Sequence, residues 1–115
     1  MSNTVLVAGT NSMGFASAIN AGGVFSIGNA AISQNNTVTV GPGGMITTVT
    51  TSIVGGNVAN TANNHLLVNN GTFSGSGLLT VGGGGLGGNH IVVTNGGLIS
   101  VVGLDMSNSH TNKIK

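Results

Sequence analysis

The chain has 115 residues and is 3% charged: two Lys, no Arg, no Glu and a single Asp (Asp105), for a net charge of +1. An ordinary soluble domain is about 25% charged, so this surface must be wetted by Asn, Ser and Thr and offers almost no repulsion between molecules. Two lysines cannot build the basic face that nucleic acid requires, one carboxylate cannot supply the paired acids of glycoside hydrolysis, and with no cysteine there is neither a disulfide framework nor a thiolate metal site.

A mean hydropathy of +0.41 argues against disorder. No segment approaches the roughly 20 apolar residues of a membrane helix. The opening residues 1–9 have no basic residue ahead of a short apolar stretch, which does not read as a secretory signal. In chain order, the first strand signal is Asn3-Thr4-Val5-Leu6-Val7. Gly22-Gly23 then leads into Val24-Phe25-Ser26-Ile27. A regular block follows: Asn36-Thr37-Val38-Thr39-Val40 with a Gly corner and Met45. It returns as Asn64-His65-Leu66-Leu67-Val68-Asn69-Asn70-Gly71-Thr72-Phe73, and again as Asn89-His90-Ile91-Val92-Val93-Thr94-Asn95-Gly96-Gly97-Leu98. Between copies lie further apolar patches, Ile53-Val54 and Leu78-Leu79-Thr80-Val81. The chain closes on Asn112-Lys113-Ile114-Lys115, the opening of another copy.

Within each copy, apolar and polar residues alternate with period two between Gly and Asn corners, which is the signature of strands. No stretch has helical spacing. Self-similarity at this period marks a solenoid, whose units cannot bury their apolar faces alone. The expected fold is therefore all-β, a parallel β-helix of about four to five irregular coils with essentially no helix. It forms a single domain over 1–115, with degenerate coils in 1–34 and regular repeats in 35–115. Aligning the copies predicts three interior columns: Val38 on Leu66 on Ile91, Val40 on Val68 on Val93, and Met45 on Phe73 on Leu98. Asn36, Asn64 and Asn89 would form an amide ladder. Neither end shows a polar cap, so the strand Asn3, Thr4, Val5, Leu6, Val7 and the opening Asn112, Lys113, Ile114, Lys115 are the expected self-assembly edges.

The residues with chemical potential have structural explanations. His65 and His90 hold the repeat position occupied elsewhere by Thr4, Thr37 and Lys113, an outward strand position. His110 lies in another phase, so no metal site is expected. Gly82-Gly83-Gly84-Gly85 with Gly87-Gly88 lacks the Lys and the following helix of a phosphate cradle and reads as a loop between coils. Ser74-Gly75-Ser76-Gly77 is out of frame for a nucleophile elbow and reads as corner and linker. No catalytic residue and no cofactor are expected.

The Asn-x-apolar-x-Val strand followed by Asn-Gly-Gly-apolar, with intervening Leu-x-Val-Gly, resembles the Gly/Asn/Thr-rich repeats of bacterial autotransporter passenger domains and related secreted β-helix repeat proteins. The resemblance covers 35–115 well and 1–34 loosely. It implies a right-handed parallel β-helix, extracellular or on the cell surface, that serves as an adhesive element or a stalk. The expected function is a non-enzymatic structural solenoid, with itself (head to tail) or adjoining repeats of a longer chain as partner. The alternative is an adhesin or tailspike-like module that recognises a surface glycan, although three Phe with neither Trp nor Tyr supply few sugar-stacking platforms.

Overall fold

The computed structural model describes residues 2–56, 60–82, 87–106 and 113–115. Its strands are β1 (Thr4–Val7), β2 (Ser17–Ala21), β3 (Phe25–Ile27), β4 (Thr37–Val40), β5 (Gly44–Thr48), β6 (Ser52–Val54), β7 (His65–Asn69), β8 (Thr72–Gly75), β9 (Leu78–Val81), β10 (His90–Thr94), β11 (Leu98–Ser100), β12 (Gly103–Asp105) and β13 (Lys113–Ile114). Every third strand returns to the same sheet. The first sheet runs β1-β4-β7-β10-β13, the second β2-β5-β8-β11 and the third β3-β6-β9-β12. All these pairings are parallel. The molecule is a β-solenoid with three strands per coil, and the described residues contain no helix.

Alternation sets which side chains enter the core. In β4 and β7 the buried positions are Val38 and Val40, then Leu66 and Val68, while Thr37, Thr39, His65 and Leu67 point outward. The corners that turn one strand into the next use residues tolerant of left-handed backbone: Asn70 has φ 54°, Asn95 has φ 52° and Gly96 has φ 78°.

The columns of the first sheet follow the repeat alignment: Val38 pairs with Leu66 and Leu66 with Ile91, and Val40 pairs with Val68 and Val68 with Val93. The third column differs. Phe73 pairs with Ile46 and Ile99, so the interior column is Ile19-Ile46-Phe73-Ile99. Met45 and Leu98 instead flank Thr72 on the outer face, and Leu98 is 54% exposed. The cause is corner length. Residues 41–43 separate β4 from β5 and residues 95–97 separate β10 from β11, but only Asn70-Gly71 separates β7 from β8. An alignment anchored on the first sheet therefore slips by one residue in the second, and one residue reverses the facing.

Gly22-Gly23 also takes a different place from Gly96-Gly97. The former turns β2 into β3 of the third sheet, and the latter turns β10 into β11 of the second. The first coil reaches β2 only after residues 8–16, a long corner closed by an antiparallel bridge between Thr10 and Ala16. Ser74-Gly75, read from sequence as corner, is the end of β8.

Candidate functional site

One feature built by the sequence runs from β1 to β10, an asparagine ladder at the entrance to the first sheet. The Nδ2 of Asn3 donates to Oδ1 of Asn36 at 2.9 Å, that of Asn36 to Asn64 at 2.9 Å, and that of Asn64 to Asn89 at 3.2 Å. Each Oδ1 also accepts the backbone N–H of the preceding rung, from Asn3 at 3.2 Å, Asn36 at 3.3 Å and Asn64 at 3.0 Å. Asn64 and Asn89 are fully buried. Such groups are tolerated inside only when satisfied, and here one residue type satisfies itself from coil to coil. The ladder has a direction: the amides of Asn3, Asn36 and Asn64 each donate to the next rung toward the C-terminal end, and those of Asn36 and Asn64 also donate to Ser33. Among the described residues, the Oδ1 of Asn3 at the first rung accepts nothing.

The ladder depends on glycine. Gly28 and Gly55 follow β3 and β6 with φ of 70° and 75°, and a Cβ on either would land on the side-chain amide of Asn64 or Asn89 respectively. These notches are absent from the sequence reading. Their signal is an apolar-Gly pair closing the third strand, Ile27-Gly28, Val54-Gly55 and Val81-Gly82, hidden in a chain with 22 glycines.

His65 and His90 are register neighbours, and their rings stack with centroids 5.0 Å apart and planes 7° from parallel. Thr4, Thr37 and Lys113 continue the same column. The described residues contain no group of three metal-ligating side chains. Gly83, Gly84 and Gly85 of the expected Gly loop, His110 and the expected edge residue Asn112 lie outside the described residues. Asp105 pairs with Thr80 at the last strand of the third sheet, away from the histidine column of the first. Two buried hydroxyls, Ser52 and Thr48, satisfy each other inside the core, with Ser52 Oγ donating at 3.1 Å.

Burial falls off toward both ends. Ile46, Leu66, Val68 and Phe73 in the middle coils are inaccessible, whereas Ile19, Phe25, Val93, Ile99 and Val101 are only partly buried. Each end opens into a hollow. At the N-terminal end a cavity of about 260 Å³ is bordered by Asn3, Val5, Ile27, Asn36 and Val38. At the C-terminal end one of about 250 Å³ is walled by Leu79, Ile91, Val93, Ile99, Val101, Leu104 and Ile114. The expected edge residues flank these hollows. Asn3, Thr4, Val5 and Leu6 are exposed and Val7 is buried, while Lys113 and Ile114 pair with His90 and Ile91 and Lys115 adds backbone bonds to Ile91 and Val93.

No protein-family model, curated protein or solved structure matches this chain.

Proposed function

We propose that the protein is a non-enzymatic structural solenoid that stacks head to tail on copies of itself, as an extracellular fibre or the stalk of a cell-surface assembly. The observation that carries this reading is the pair of hollows at opposite ends of one core, an apolar one at the C-terminal end and one lined by both polar and apolar side chains at the N-terminal end, each rimmed by edge strands in the repeat's own phase. An uncovered strand edge is a template for another strand, and a charge of +1 provides little to repel one. A head-to-tail contact is heterologous, and a contact of that type propagates without closing. The extracellular assignment rests on the resemblance of the repeats to passenger domains. Asp105, the single acidic side chain, lies in the third sheet and the stacked histidines in the first, which favours a mechanical role.

Sedimentation velocity across a wide dilution series at neutral pH tests this reading. Species that grow in mass with concentration are expected, and a monomer at every concentration would reject it.

A further inference from the structure

The two ends are not flush with each other. At the N-terminal end β1, β2 and β3 are all outermost in their sheets, but at the C-terminal end the first sheet carries a fifth strand, β13, while the second and third stop at β11 and β12. A second copy that seats β2 on β11 and β3 on β12 must therefore lay its β1 directly on β10. That position is taken. Lys113 and Ile114 of β13 pair with His90 and Ile91, and the repeat register places Thr4 and Val5 of an incoming β1 on those same two residues.

We infer that β13 is a displaceable strand that occupies the docking edge of this protein, and that the incoming β1 of a second copy replaces it by strand exchange. The inference rests on the head-to-tail reading and specifies its joint. β13 covers little: its paired residues are two, and Ile114 remains 42% exposed. β1 offers four residues in the same register, Thr4 to Val7, and so runs on past Val92 to Val93, where the present cover ends with the backbone bonds of Lys115 to Ile91 and Val93. Continuing the columns sets Val7 of the second copy on Val93, its Ile19 on Ile99 and its Phe25 on Leu104. These apolar contacts fill the C-terminal hollow, whose present wall includes Val93, Ile99, Leu104 and Ile114.

The same register puts Asn20 of one copy beside Ser100 of the next, both exposed on the outer face of the second sheet. Because neighbouring strands lie about 4.8 Å apart, a cysteine pair there meets the requirement of a disulfide. The full-length double variant Asn20→Cys/Ser100→Cys is expected to yield a series of covalent multimers on mild oxidation, and each single variant none. Deleting residues 113–115 should raise multimer yield several-fold. Pinning β13 to β10 through His90→Cys with Lys113→Cys should suppress the concentration-dependent growth in mass, and reductant should restore it. Circular dichroism establishes that each variant is folded.

Loss of assembly on deletion, unchanged assembly in the oxidised pinned variant, or efficient dimers from Ser100→Cys alone would overturn the inference even if the wild type assembles. A wild type that is monomeric throughout would overturn the head-to-tail reading together with it.

Discussion

Gly55→Ala is the sharpest perturbation of the ladder. At φ 75° an L-residue carries backbone strain of about 1 to 2 kcal/mol. The added methyl also lands on the Asn89 amide, which must leave its place. Its Oδ1 then no longer accepts from the backbone N–H and the Nδ2 of Asn64, a residue with no solvent exposure. The backbone N–H of Asn64 is then left without an acceptor, at about 1 to 3 kcal/mol, and Nδ2 keeps only its bond to the Ser33 carbonyl, a loss of about 0.5 to 1.5 kcal/mol, so the expected loss is about 2 to 7 kcal/mol, a large share of the roughly 5 to 15 kcal/mol that a domain has. Gly96→Ala is the control: φ is 78°, but nothing lies within 4 Å of the added carbon, so strain alone applies, at about 1 to 2 kcal/mol. Urea unfolding followed by far-ultraviolet circular dichroism at one fixed protein concentration measures both. Equal losses in the two variants would refute the ladder as a source of stability.

Val68→Asp, which places an unpaired carboxylate in a fully buried position, should cost several kcal/mol, whereas His65→Ser, at a half-buried outward position, should change stability by only about 0.5 kcal/mol; the same urea titration checks both. Phe73→Ala should cost about 3 to 5 kcal/mol and Met45→Ala, on the outer face of the neighbouring strand, under about 1 kcal/mol, and comparable losses would mean that the second sheet is slipped by one residue, with Met45 beside Phe73 in the core. Chelator should leave the thermal midpoint of unfolding unchanged, and a large drop would point to a metal at the stacked His65 and His90.

The first sheet was legible because its strands carry the strongest pattern: Asn at the entrance, then inward apolar residues two apart, at Val38 and Val40, Leu66 and Val68, Ile91 and Val93. Asparagines in equal phase also announced the ladder. The second sheet was misread at Met45 and Leu98 because its register depends on corner lengths, and a corner of two or of three residues looks equally glycine-rich. β2 was hidden for a different reason. Ser-Ala-Ile-Asn-Ala has one large apolar residue, Ile19, and follows an atypically long corner. The notches at Gly28 and Gly55 could not be distinguished from corner glycines without knowing which Asn faced them. The stepped end follows from strand order, with β13 alone extending its sheet by a fifth strand, and the likeness of residues 112–115 to a repeat opening does not show that the other two sheets stop one strand short.

Fibre diffraction or electron cryo-microscopy of concentrated, purified protein tests the central claim most directly. Unbranched filaments with a layer line at about 4.8 Å along the filament axis are predicted, because coils stack along that axis at the interstrand spacing. Discrete particles at every concentration, none longer than the 44 Å of a single molecule, would contradict the account.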